Sequence, residues 1–177
     1  MIQIRRAERK DADAIADLHT AGWRDTYGSV MSPDFLKNQA PEERRSYWGS
    51  ALRQKKDSET VYVVDNGSGV AGFICVKLRN DPRWGAYIDS LHIGSTLRGR
   101  GAGNALLRHA AQWINDNDAD SPVYLWVFED NHRATAFYQK LGGRVVERSE
   151  SDLPASEKAP VLRISWKNAG EIMAHGS

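Results

Sequence analysis

The chain has 177 residues and one cysteine, long enough to bury well over half of the surface its unfolded form exposes without disulfide or metal staples. Lys and Arg number 24 against 23 Asp and Glu, a formal charge of +1, so no global field favours nucleic acid or an anionic membrane. The start, Met1-Ile2-Gln3-Ile4-Arg5-Arg6, lacks the apolar run of a signal peptide, and no stretch approaches the roughly 18 apolar residues of a membrane span. A soluble, cytoplasmic protein is expected, one that binds any anion through a local arrangement.

A short strand, Ile2 to Arg6, is predicted first, then a helix opening near Asp11 or Asp13 with Ile15, Leu18 and Gly22 at helical spacing. The aromatic-rich stretch holding Trp23, Tyr27, Phe35, Tyr47 and Trp48, with Pro33 and Pro41 in it, reads as two short helices, the second ending near Leu52. Thr60 to Val64 and Val70 to Leu78 read as strands of a hairpin turned by Asp65-Asn66-Gly67-Ser68-Gly69. In it, Cys75 sits among Phe73, Ile74 and Val76 as a core thiol rather than a nucleophile.

A further strand runs from about Ala86 to Ile93, with alternation placing Tyr87, Asp89, Leu91 and Ile93 on one face and Ile88, Ser90 and His92 on the other. After a loop, Ala102 to Ile114 is a predicted helix closed by Asn115-Asp116-Asn117-Asp118, and Val123 to Phe128 is a strand apolar enough to be covered on both faces. Strand, helix and buried strand make a parallel crossover. Asn131 caps another helix in which Ala134, Phe137, Tyr138 and Leu141 share a side, stopped by Gly142-Gly143; Arg144 to Arg148 and Val161 to Trp166 close the chain as a strand pair. Residues 1–167 are expected to form one domain and 168–177 a short C-terminal tail.

The most informative segment is Arg98-Gly99-Arg100-Gly101-Ala102-Gly103-Asn104, where glycines alternate as strand gives way to helix. Such positions let backbone approach a ligand closely, and the unpaired N–H groups of the helix's first turn form an anion site suited to a pyrophosphate. A dinucleotide fingerprint starting at Gly99 would need Gly or Ala where Asn104 stands, and the Gly-Lys-Ser/Thr of a P-loop is absent.

Arg98, Gly101 and Gly103 match R/Q-x-x-G-x-G/A, and 131–143 resembles N-x-x-A-x-x-F-Y-x-x-x-G-F with Gly143 in place of the final aromatic. In these blocks, and in the strand Tyr87 to Ile93, the chain resembles the GNAT superfamily of N-acetyltransferases from about Ile2 to Trp166. The resemblance implies an α/β (mixed α+β) fold, a twisted sheet of about seven strands with four to five helices, splayed between the fourth and fifth strands. It implies acetyl-CoA as acyl donor and no metal. Its pyrophosphate would lie on the backbone of Arg98, Gly99, Arg100, Gly101, Ala102, Gly103 and Asn104, with Ala105 as an addition, and its pantetheine arm along Leu91, His92 and Ile93. The arginines either screen phosphate or serve solubility. Asn131 caps its helix and, by resemblance, also touches the cofactor arm.

By the same resemblance Tyr138 stands where a general acid gives its proton to the departing thiolate; a core aromatic beside Phe137 is the alternative. An amine acceptor must lose a proton before it attacks, and Asp89, then Glu129, are the carboxylates expected to take it, with His92 a third choice or a core histidine. Acceptor contacts are expected from the stretch His19 to Tyr27, Trp23 and Tyr27 in particular, and from the 149–157 loop, whose Glu150, Asp152 and Glu157 either attract a cationic amine or are simply solvated. A small-molecule amine is the favoured acceptor and no nucleic-acid partner is expected; monomer and homodimer both stay open. A non-catalytic acyl-CoA-binding module is the alternative function.

Overall fold

A computed structural model describes residues 1–28, 30–54, 56–153 and 155–175. Its sheet has seven strands: β1 (Gln3–Arg6), β2 (Glu59–Asp65), β3 (Val70–Asp81), β4 (Gly85–Ile93), β5 (Val123–Phe128), β6 (Arg144–Glu150) and β7 (Pro160–Trp166), in the order β1-β2-β3-β4-β5-β7-β6. Every neighbouring pair is antiparallel except β4 and β5. Among the described residues five α-helices accompany it: α1 (Ala12–Tyr27), α2 (Ala40–Ala51), α3 (Ala102–Asp118), α4 (His132–Lys140) and α5 (Ala169–His175).

The β2–β3 turn forms as its residues dictate. Asp65 Oδ1 accepts from the Gly67 N–H and Asn66 Oδ1 from the Ser68 N–H, each at 2.9 Å, which fixes the reversal locally. α1 is anchored at its start by Asp11, whose carboxylate takes two bonds from Arg5 of β1 at 2.8 and 3.1 Å and one from the Glu8 N–H at 2.7 Å. That fixes where the helix leaves the sheet, and Ile15 and Ala16 then bury fully with Trp48, Phe73 and Cys75. The second face of the sheet carries the larger core, with Leu106, Leu107, Ala110 and Ile114 of α3 against Ile74, Val76, Ile88 and Val123. Fully burying side chains of this size stabilises by roughly 1.5–3 kcal/mol each.

Four expectations need correction. α3 runs to Asp118, so Asn115 to Asp118 form its last turn instead of ending it; Asp116 and Asn117 bond one turn back, to Gln112 and the Trp113 carbonyl. The stretch before α2 holds a five-residue π segment, Phe35–Gln39, leading directly into it, where a first short helix was expected. Residues 169–175 are a helix rather than a tail, because Ala169 and Ile172 are both fully buried beside α3. The alternation of β4 is broken by a bulge. Cys75 pairs with Ser90 but Val76 pairs with Ile88, leaving Asp89 as the extra residue. Asp89 therefore turns toward Lys77 on the α1–α2 side, whereas Leu91 and Ile93 pack into the α3 core; the shared face expected of Asp89 and Leu91 does not exist.

Candidate active site

β4 and β5 pair only at Ala86 with Val123 and Tyr87 with Tyr124, and then separate. Beyond that point no residue from Ile88 to Ile93 of β4 pairs with β5, and a cavity of about 870 Å³ opens between the strands. Its walls come from β4, β5, the 97–104 loop, α4, α1 and the start of the β6–β7 connection.

At one end lies the glycine loop. Gly99 and Gly101 adopt φ of +74° and +79°, the left-handed region that other residues enter at a cost of about 1–2 kcal/mol. A Cβ at Gly101 would meet no protein atom within 4 Å, so the restriction is conformational and the space beside it is open. Gly101 is the N-cap of α3 without any side-chain capping bond, which leaves Ala102 and Gly103 with N–H groups that no carbonyl one turn earlier can accept. Gly99, Gly101, Ala102, Gly103 and Asn104 line the cavity; the exposed side chain of Arg100 does not. Arg98 points to α1, where its Nη2 donates to Asp25 at 2.7 Å.

α4 supplies the opposite wall. Asn131 Oδ1 accepts from the Ala134 N–H at 3.1 Å, the capping bond expected of it, and the residue also faces the cavity. One helical face then brings Ala134, Phe137 and Tyr138 to the cavity. Tyr138 is 9% exposed, edge-on to Phe137 at 5.2 Å, and burial pushes its phenol well above the usual range, so it stays protonated at neutral pH. Tyr27 of α1 sits near it and edge-on to Phe128 at 4.5 Å, with its own phenol pushed up to about 12 by burial.

Asp89 also lines the cavity, a quarter exposed, with Lys77 at 3.9 Å. Desolvation raises its pKa despite that cation, which makes it a better proton acceptor than an exposed carboxylate. Glu129 is placed elsewhere. It does not line the cavity, and its carboxylate takes two bonds from Arg148, at 2.8 and 3.1 Å, which hold it below the usual carboxylate range. A carboxylate so paired is a poorer proton acceptor than Asp89.

His92 faces α1, within 4.7 Å of the His19 ring and 5.5 Å of Phe73, and so close to Gly22 that a Cβ there would fall 2.2 Å from Nδ1. His19 Nδ1 accepts from Trp48 Nε1 at 3.0 Å, so its neutral ring carries the proton on Nε2. Burial, with Arg98 and Arg44 nearby, lowers the pKa of His92 to about 4. Trp23 lines the cavity although only 2% exposed, packed between His19 and the Arg44 guanidinium, which lies 4.6 Å over its ring. Sequence reasoning missed Arg44 and Trp126, and did not single out Asp25 within the His19 to Tyr27 stretch; all three line the cavity. Only Trp126 carried a signal, in its position on a strand next to the expected splay.

The model of the acetyltransferase (GNAT) family matches residues 13–143. The chain belongs to the GNAT family. It is 27% identical over 175 residues to the uncharacterized N-acetyltransferase YuaI of Bacillus subtilis, spanning 97% of this chain and 96% of that one. It is 29% identical over 155 residues to the peptidyl-lysine N-acetyltransferase YjaB of Salmonella typhimurium, covering 86% and 90%. The PaiA N-acetyltransferase of Thermoplasma acidophilum, solved in complex with coenzyme A, superposes with a TM-score of 0.73 over 94% of this chain and 99% of that one. Its identity is 18%, so that likeness concerns the fold: the GNAT sheet, antiparallel but for its parted parallel pair. Among the described residues no helix is long and apolar enough to cross a membrane, and no group of three His, Cys, Asp or Glu is placed to hold a metal.

Proposed function

We propose that this GNAT protein transfers an acetyl group from acetyl-CoA directly to a primary amine within a ternary complex. The observation that carries the reading is that one cavity is lined by the open glycine loop, the unpaired edge of β4, Tyr138 and Asp89. The loop fits a pyrophosphate by the space beside Gly99 and Gly101 and by the N–H groups of Ala102 and Gly103. The bare β4 edge from Ser90 to Ile93 offers backbone groups to the amides of the pantetheine arm as a neighbouring strand would. Asn131 stands on the facing wall, beside the path of that arm.

The protein then has two protons to move. An acceptor ammonium must lose one, and Asp89, with its raised pKa and its place on the α1–α2 side, receives it. The amine nitrogen forms its bond to the acetyl carbon, the carbon–sulfur bond breaks, Tyr138 gives a proton to the sulfur that leaves, and the second proton shed by the nitrogen as it becomes an amide restores the Tyr138 hydroxyl. No acyl-enzyme is needed, and Cys75 is unsuited to form one, since burial raises its thiol far above its usual pKa. The acceptor enters between α1, at Tyr27, and the 149–153 segment; that segment forms one wall of the cavity, which favours a small molecule over a protein chain. The setting for this chemistry is the cytoplasm, where acetyl-CoA is at hand.

Release of free thiol from acetyl-CoA, measured over a panel of amines and lysine peptides together with the thermal shift caused by CoA, tests the reading. Stabilisation by CoA with turnover of at least one amine is the expected result. Stabilisation without turnover on any of them would make the protein an acyl-CoA-binding module, and no stabilisation at millimolar CoA would remove both readings.

A further inference from the structure

One ion pair joins the acceptor helix to the cofactor loop. Arg98 Nη2 donates to Asp25 Oδ2 at 2.7 Å, and Arg98 Nε donates to the Ile93 carbonyl at 3.3 Å, so one guanidinium touches α1, the end of β4 and the loop that carries it. Asp25 lies on α1 between Trp23 and Tyr27. Gly22, Asp25, Ile93 and Arg98 line both the main cavity and a smaller one of about 340 Å³, so the pair stands in the partition between them.

A guanidinium in that position is already committed. Its charge is balanced by a carboxylate and its Nε is engaged by a carbonyl, whereas the N–H groups of Ala102 and Gly103 open α3 with no carbonyl one turn earlier. Two of its five N–H groups are held in this way, and turning the side chain away from α1 onto a phosphate would cost both bonds, while the backbone needs no rearrangement to receive one. The motif arginine thus has a task other than phosphate binding, and the residue that sets it is Asp25.

We propose that Asp25 is a positioning residue, which by holding Arg98 fixes the cofactor loop against β4 and carries cofactor occupancy to the acceptor end of α1. The proposal rests on the acetyl-CoA reading above. Its physical basis is a rigid connection. α1 is pressed against β4 at Gly22 and His92, so a loop settled by its ligand restrains the last turn of α1 through the Arg98 bridge.

Hydrogen exchange and binding measurements with free CoA and with pantetheine, on the wild type, Asp25→Asn, Arg98→Gln and the double variant, test it. In the wild type CoA is expected to slow exchange both in the loop, 98–104, and in residues 23–27. In Asp25→Asn the loop remains protected but 23–27 does not, and Asp25→Glu, which keeps the carboxylate, restores it. Both single variants lose affinity for CoA and pantetheine by the same factor, up to about fivefold, the ceiling for an exposed ion pair, and the double variant is no weaker than either. The two side chains are 40% and 53% exposed, so folding is not at stake, and a thermal melt verifies it.

Additive losses, or a loss confined to CoA with pantetheine unaffected, would make Arg98 a phosphate ligand and overturn the proposal. Undiminished protection of 23–27 in Asp25→Asn would overturn it too, as would a wild type protected by CoA in the loop alone. A wild type that binds no CoA would bring down the acetyl-CoA reading and this proposal together.

Discussion

β5 has two edges, and they are built differently. Toward β7 it is zipped along its whole length, six residue pairs from Val123 with Trp166 to Phe128 with Val161; toward β4 it pairs at two positions and stops. On the zipped side each backbone group is satisfied by the neighbouring strand and the side chains fill a core. On the open side polar backbone faces a cavity, which a sheet tolerates only where something else will bond to it. The contrast shows that stability and binding are served by opposite edges of the same strand, and it can be attacked from either edge.

The largest effect is expected at the open edge from Gly101→Val. The substituent enters the space reserved for the ligand and forces a β-branched residue to φ near +79°, so affinity for CoA should fall by at least about 10³-fold, some 4 kcal/mol. Folding should lose only about 1–2 kcal/mol, the cost of the left-handed backbone. Calorimetric titration with CoA and a thermal melt separate the two; an unchanged dissociation constant would remove the loop from the site.

The zipped edge should behave in the reverse way. Ile164 is fully buried in the larger core, and Ile164→Ala should cost about 3 kcal/mol in urea unfolding, the usual range for such a truncation being 2–5 kcal/mol. At temperatures where the variant stays folded, its CoA affinity and kcat should stay close to wild type. A kcat loss comparable with the stability loss would mean that the two edges are not independent.

Tyr138 belongs to both edges, since its ring packs 6.1 Å from Trp166 of β7 while the residue also lines the cavity. Tyr138→Phe keeps the ring and its burial, so stability should barely move. If its hydroxyl protonates the departing sulfur, kcat should fall about 10²-fold, near 2.7 kcal/mol, with CoA affinity unchanged. A folded and fully active variant would leave Tyr138 as core only.

The fold was legible because its signals are local: the Asx-rich turn at 65–69, the glycine alternation at 99–103, and Asn131 as a cap all act over a few residues. The bulge at Asp89 was not legible, because one residue inserted against Val76 leaves the strand's composition unchanged while reversing which face its neighbours share. The pairing of Glu129 was hidden for a similar reason: its partner Arg148 lies on β6, and no spacing rule links the two. The α5 helix was read as a tail because seven residues carry little periodicity, and what decides their structure is the apolar surface of α3 waiting for Ala169 and Ile172. Asp25 and Arg98 lie 73 residues apart and met only in three dimensions.

The smallest effect concerns pH and the wall beside the open edge. His92 packs against Gly22, Phe73 and His19; the charged groups bearing on it are Arg98 and Arg44, and both cations oppose its protonation, as does burial. Its folded pKa is about 4 against an ordinary 6.5. For a histidine with a lowered pKa the unfolded chain binds the proton first, so the neutral ring's contribution to stability is complete above about pH 6.5 and is lost progressively as the pH falls toward 4. Between pH 7 and 5.5 the loss from His92 should be on the order of 1 kcal/mol, and the buried His19 beside it, whose pKa burial also lowers, adds a loss of the same sign. His92→Gln should flatten this part of the pH profile of urea unfolding. Asp89 acts in the opposite sense, since burial raises its pKa and so favours the folded state as protons are added. An unfolding free energy independent of pH from 7 to 5.5 in the wild type, and unchanged by His92→Gln, would mean that the histidine is as well solvated folded as unfolded, and the wall beside the acceptor would then be open to water.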